Sequence, residues 1–228
     1  LAAGDIEAAA DAFYEAVIRN PHLAKYFNNL AGALVRLQKF EKALSYYKKA
    51  LDLDPGFENA QNGYSALLIA LERTDEAIEQ LETELEKSEA PAPVRRQLAR
   101  VYHLADRLHE SNEELRKAIK AEPDNISIRL ELAGQLSSYD RSIPALKTLL
   151  DAEKIESDNT EVLVSLAHAL IQIGQLNAAK EKIEKARKLS PEKIQPLLVR
   201  ATLNSELGDY EKAEADLREA LKIAPGSP

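Results

Sequence analysis

The sequence predicts an all-α fold, a solenoid of stacked antiparallel helix pairs, on three observations. The first is a fixed period marked by proline. Pro21, Pro55, Pro123, Pro191 and Pro225 are separated by 34, 68, 68 and 34 residues, and Glu89 and Ser157 occupy the two intervening slots. The second is a set of small residues in register with those slots. Ala9, Ala43, Ala77, Ser111, Ala145, Ala179 and Ala213 lie twelve positions before them. Ala16, Ala50, Glu84, Ala118, Ala152, Ala186 and Ala220 lie five before, and Ala31, Ser65, Ala99, Ala133, Ala167 and Ala201 lie twenty-four before. Small side chains repeated in register let neighbouring helices approach closely. The third is a larger apolar residue eight before each slot: Phe13, Tyr47, Leu81, Leu115, Leu149, Ile183 and Leu217. It fills the space between the helices.

The stretch Ala24–Phe57 shows how one unit is built. Phe27, Leu30, Ala31 and Leu34 form the apolar stripe of a first helix; Ala43, Leu44, Tyr47, Ala50 and Leu51 form that of a second. Pro55 stops the second helix, because proline has no N–H and clashes with the preceding turn. A hairpin this small must stack on copies of itself to bury its apolar faces. The links between first and second helices carry glycine at Gly4-Asp5, Gly174-Gln175 and Gly208-Asp209, suited to a left-handed helix end. Ser142-Ile143-Pro144 predicts a hydroxyl-capped helix start, and Thr74-Asp75-Glu76 a capped and negatively charged one. Tyr139-Asp140-Arg141-Ser142 lacks glycine and predicts an altered turn.

With this period, these small residues and a closing proline, the chain resembles the tetratricopeptide repeat family. The signature is strongest in GDIEAAADAFYEAVIRNP, FEKALSYYKKALDLDP and GDYEKAEADLREALKIAP. The resemblance covers essentially all 228 residues and implies a right-handed superhelical α-solenoid. Its units would be a half repeat at 1–23 and full repeats at 24–57, 58–91, 92–125, 126–159, 160–193 and 194–227. One departure is the bulky aromatic early in the first helix: it is Phe27 once, and then Gln61, Arg95, Arg129, Leu163 and Leu197. A second is Glu84, in a slot otherwise held by alanine and followed by the irregular Ser88–Pro93. It predicts either a shortened helix end with Glu84 reaching water or a joint at 84–93.

Composition narrows the functional classes. Apolar residues make up 45% of the chain and charged residues 30%, as in a globular protein. The net charge of −8 argues against a nucleic-acid partner, which needs a basic face. Without cysteine there is no disulfide framework or thiolate metal site. No apolar run reaches the eighteen residues of a membrane span. Nothing separates a cytoplasmic from a periplasmic location. A start at Leu1 and the absence of methionine suggest a fragment of a longer protein. No phosphate loop, zinc motif or nucleophile elbow is present, so no enzymatic activity and no cofactor are expected. His103, Asp106 and His109 straddle a turn with nothing to fix a metal geometry. Asn125-Ile126-Ser127 is a formal glycosylation sequon.

The resemblance implies that first helices line a concave groove holding a peptide. The polar residues there are Lys25, Asn28, Asn29, Arg36, Asn59 and Asn62, followed by Arg96, Gln97, Arg100 and His103. Asparagine both donates to and accepts from a peptide backbone, and Arg96 and Arg100, one turn apart, are placed to clamp an acidic segment. Later repeats offer a more apolar wall with Leu130, Val164, Leu198 and Val199. The chaperone-tail clamp of some family members is incomplete. Lys25 and Asn29 match in part, Gly63 stands at the middle place beside Asn62, and Pro93 and Gln97 replace the last pair. The expected role is a protein–protein interaction scaffold that binds a protein or peptide. The alternatives are the targeting arm of a larger enzyme, such as a glycosyltransferase, and self-association through uncapped ends.

Overall fold

The computed structural model describes residues 3–139 and 141–224. Among them the secondary structure is helical throughout. The helices are α1 (Ala3–Arg19), α2 (Ala24–Arg36), α3 (Phe40–Leu53), α4 (Glu58–Ala70), α5 (Thr74–Lys87), α6 (Pro91–Leu104) and α7 (Leu108–Ala121), then α8 (Ile126–Ser138), α9 (Ser142–Ile155), α10 (Thr160–Gln172), α11 (Leu176–Leu189), α12 (Gln195–Glu206) and α13 (Tyr210–Ile223). Thus α1, α3, α7 and α11 each end two residues before their proline at 21, 55, 123 or 191. Helices α5 and α9 end two before Glu89 and Ser157. Pro225 lies outside the described residues.

The turns inside each helix pair share one conformation. Gln38, Glu72, Asp106, Gly174 and Gly208 have φ of 56°, 60°, 59°, 76° and 77°, at 34-residue multiples. The next N–H closes each turn onto the carbonyl five residues back: Lys39 to Leu34 at 2.9 Å, Arg73 to Leu68 at 2.8 Å, Gln175 to Leu170 at 2.8 Å. This is the Schellman closure of a helix end. The turn at 139–141 has the same bond, Arg141 N to Leu136 O at 3.0 Å, while Asp140 itself lies outside the described residues. Gly4, expected in a turn, lies in the first turn of α1.

Two expected caps are corrected. Thr74 and Ser142 are the first residues of α5 and α9, and the flanking Arg73 and Arg141 make no side-chain cap. The φ of the three-residue turn sets where each helix starts, so the hydroxyls fall one position too far in. Ser142 instead donates to Gln172 Oε1 at 3.2 Å. Side-chain caps come from asparagine. Asn125 accepts from Ile128 N at 3.3 Å, and Asn159 accepts from Glu161 N at 3.0 Å and Val162 N at 3.1 Å. Both sit where an extended residue precedes a helix, as a cap requires.

The chain forms two compact units, Leu1–Glu114 and Leu115–Pro228. In the first, Leu30, Ala31, Ala43, Tyr47, Ala50, Leu68 and Leu98 belong to one buried core. In the second, Ala167, Leu170, Ala179, Ile183 and Leu203 form another. The small-residue registers are buried as packing demands: Ala43, Ala50, Ala145, Ala152, Ala179 and Ala186 are each 0% exposed. Glu84 departs from its register and is exposed.

The first-helix aromatic slot is buried in every described repeat except at Arg95, which is half-buried. Gln61 sends its amide to the Pro55 carbonyl. Arg95 pairs with Glu114 at 2.7 Å. Arg129 reaches the Asn125 carbonyl at 3.4 Å. Leu163 and Leu197 are buried among apolar neighbours. A polar side chain can replace the aromatic because each one finds a partner.

Candidate functional site

In the first unit the polar residues of the first helices divide into two groups. Asn28, Asn29 and Arg36 on α2 and Asn59 on α4 line one cavity of about 540 Å³. They project there because 28, 29 and 36 lie off the buried stripe of α2, which is Phe27, Leu30, Ala31, Ala33 and Leu34. Asn28 Nδ2 donates to Asn29 Oδ1 at 3.2 Å. That bond uses neither the Asn28 carbonyl oxygen nor the Asn29 amide nitrogen. Lys25 lies over the Tyr26 ring, 5.1 Å from its centroid.

The wall of this cavity is apolar and comes in part from α1 and α3, which are second helices of their repeats. Phe13 on α1 and Tyr47 on α3 line it, with Asp5 at its edge. These residues were not expected there, since their spacing marks them only as core. Tyr47 is 7% exposed, and burial raises its phenol above the ordinary range. The one signal in the sequence is Gly63. A Cβ there would stand 2.5 Å from Tyr47 Cζ, so glycine at 63 makes room for the ring. The same contact explains why the middle place of the chaperone-tail clamp holds no asparagine.

The second group gathers on α4 and α6. Arg100 Nη1 hydrogen bonds to Asn62 Oδ1, and Arg100 Nη2 lies 3.6 Å from Glu58 Oε1. Glu58 and Asn62, one turn apart on α4, thus hold the α6 guanidinium and partly neutralise it. Arg96 and His103 are half-buried on α6 and engage neighbours of their own. Gln97 lines a different cavity, between α3, α4 and α5. Of the ten expected groove residues, four therefore share one cavity, Asn62 and Arg100 share one contact, and Gln97 is directed elsewhere.

In the second unit, Leu130, Val164 and Val199 are half-buried, and Leu198 is 41% exposed. Arg200 is held by Asp216, with Nε 3.0 Å from both carboxylate oxygens, and Asn204 Nδ2 donates to Asp216 Oδ2 at 2.9 Å. These side chains are paired with one another and line a cavity of about 380 Å³. Among the described residues no helix is long and apolar enough to cross a membrane.

Models of the tetratricopeptide repeat match residues 24–57 and residues 164–228. No curated protein matches. Among solved structures, a tetratricopeptide repeat protein from Parabacteroides merdae is 16% identical, with 97% of this chain and 88% of that chain covered and a TM-score of 0.60. Pseudomonas aeruginosa pilF is 16% identical over 90% of this chain and 93% of its own, with a TM-score of 0.54. A complex of Cut9 and Hcn1 contains a chain 17% identical over 99% of this chain and 44% of that one, with a TM-score of 0.56. At these identities the likeness is one of fold.

Proposed function

Because the chain is a tetratricopeptide repeat protein, and so a protein-interaction scaffold, we propose that its first unit binds a peptide segment in the groove between α1, α2 and α4, without catalysis. The observation that carries the reading is the convergence of Asn28, Asn29, Arg36 and Asn59 on one cavity with an apolar wall of Phe13 and Tyr47. Asparagine amides match the alternating donors and acceptors of a peptide backbone, and the aromatic wall takes an apolar side chain. Preformed helices lose little entropy when the peptide seats.

The charged end of the peptide lies toward α6. Arg100 is already turned toward α4 by Asn62 and Glu58, and an acidic residue of the partner would exchange places with the exposed Glu58. The experiment measures acidic-peptide affinity in Arg96→Glu and Arg100→Glu by titration calorimetry. A fall of about tenfold or more is expected for loss of a charge-assisted contact. Unchanged affinity removes the acidic end from the proposal, and unchanged affinity in Asn28→Ala with Asn59→Ala removes the groove.

Self-association is a second reading, favoured by the apolar surface of α13. Tyr210 is 72% exposed, Leu217 45% and Leu221 55%. In the preceding repeat, Ile183 fills the register of Leu217 and is 1% exposed. Concentration-dependent mass in light scattering, abolished by Leu217→Glu, is the outcome that this reading requires.

A further inference from the structure

Two of the positions where the small-residue registers break fall on one cavity. Glu84 replaces an alanine that is buried in the repeats at Ala50, Ala118, Ala152, Ala186 and Ala220. Ser65 replaces the alanine found at Ala31, Ala99, Ala133, Ala167 and Ala201. Both line a cavity of about 610 Å³ between α3, α4, α5 and α6, whose lining shares no residue with the cavity of Asn28, Asn29, Arg36 and Asn59. A glutamate cannot pack where alanine lets two helices touch, and the gap it opens is lined by further polar side chains.

The lining is rich in acceptors. Gln61 spends its Nε2 on the Pro55 carbonyl, and Gln80 spends its Nε2 on the Tyr64 hydroxyl at 3.0 Å. Each amide keeps its carbonyl oxygen. Asp52 adds a second carboxylate beside Glu84. Lys48 also lines the cavity, but no ion pair joins it to either carboxylate among the described residues. Glu84 has no cation within bonding distance among them either, and its partial burial raises its carboxyl above the usual range. A carboxylate on the lining of a cavity, beside amide oxygens and without a counter-ion, attracts a cation brought from outside.

We propose that this cavity is a binding site for an alkylammonium group, received by the Glu84 carboxylate with the Gln61 and Gln80 carbonyl oxygens and Asp52 as further acceptors. An ammonium brings three N–H donors and no acceptor, which matches the lining. An anion would meet two carboxylates. The group arrives on a free polyamine or as the lysine side chain of a partner, and the chemistry at Glu84 is the same.

Nuclear magnetic resonance titration of the full chain tests this with three probes: spermidine, a short lysine-containing peptide, and that peptide with its lysine acetylated. Shifts at the amides of Ser65, Gln80 and Glu84 are expected with one or both cationic probes and not with the acetylated peptide. Response to both assigns recognition to the ammonium itself, and response to the lysine peptide alone assigns it to a partner's side chain. Glu84→Ala restores the residue used in other repeats and so keeps the fold. It is expected to weaken binding about tenfold or more, and Glu84→Gln should behave alike. Lys48→Ala should leave binding intact or strengthen it, since it removes an internal competitor. Equal binding by the acetylated peptide, unaltered affinity in Glu84→Ala, loss of binding in Lys48→Ala, or no response to either cation overturns the proposal. Persistence of the groove contacts in Glu84→Ala separates failure here from failure of the peptide reading.

Discussion

At Gly63 the chain has no room for a side chain. Two ring carbons and the hydroxyl oxygen of Tyr47 would lie 2.5–2.6 Å from a Cβ, well inside contact distance. The ring is buried and lines the groove, so it has nowhere to retreat. Gly63→Ala should lower stability by about 1–3 kcal/mol through overpacking. Chemical denaturation checks the figure, and a neutral result would mean that the ring swings freely. The opposite effect is expected at Glu72, whose φ of 60° is strained for a residue with a Cβ. Gly174 and Gly208 hold the same place in their turns without strain. Glu72→Gly should stabilise by on the order of 1 kcal/mol, part of the left-handed penalty being offset by the looser unfolded chain. A fall in the denaturation midpoint would show that Glu72 is held by something other than the turn.

Helix pairing depends on polar anchors as well as on small residues. Arg95 on α6 and Glu114 on α7 are largely buried and lie 2.7 Å apart. The pair fills a slot that holds Phe27 in an earlier repeat, and removing one partner strands a buried charge. Glu114→Ala should cost about 3 kcal/mol, whereas replacing both by leucine-sized apolar residues should cost much less. Unfolding of the single and double variants distinguishes these outcomes. A surface pair such as Arg19 and Glu15, with both side chains mostly exposed, should contribute under about 1 kcal/mol. The stretch 84–93 is a further matter of elements. Helix α5 runs to Lys87 and α6 begins at Pro91, so the helix extends through Glu84. We propose that the stretch nevertheless acts as a joint, since Glu84 contributes no close packing between α3 and α5. Hydrogen exchange should be faster over residues 78–98 than over 40–53, and uniform protection would sink the idea.

For the whole molecule, the net charge of −8 opposes an acidic partner at long range. Screening resolves this. Beyond about 8 Å at physiological ionic strength, exposed charges are largely invisible to one another. The proposed groove then presents Arg36 and Arg100 locally, whatever the total. Binding of an acidic peptide should therefore weaken only modestly between low and physiological salt, and salt-independent affinity would place the contact on the asparagines and the aromatic wall alone. Stability in a repeat array is close to a sum of local terms, so a lesion such as Glu114→Ala should lower exchange protection near α6 and α7 before it reaches α12 and α13.

The sequence alone determined the helices, the stops of the second helices and most of the buried registers, though not Glu84 or Leu217. Periodic proline, alanine and leucine act through local geometry and contact between neighbouring repeats. It also determined that Gly174 and Gly208 would close turns, because only the backbone of one residue is involved. It did not reveal that Gln38, Glu72 and Asp106 take the same conformation, since tertiary packing overrides the preference of a residue with a side chain. Asn125 and Asn159 were missed as caps because a cap depends on the exact residue at which a helix starts, which the spacing leaves open by a position. The candidate groove was legible on one side only. Asn28, Asn29, Arg36 and Asn59 stand off the apolar stripe and can be read from spacing. Phe13 and Tyr47 read as core until the fold shows that a core side chain also walls a cavity. The direction of Gln97, the bond from Arg100 to Asn62 and the cavity under Glu84 were decided by tertiary structure, because each depends on residues a repeat or more apart meeting at a distance that no local pattern encodes.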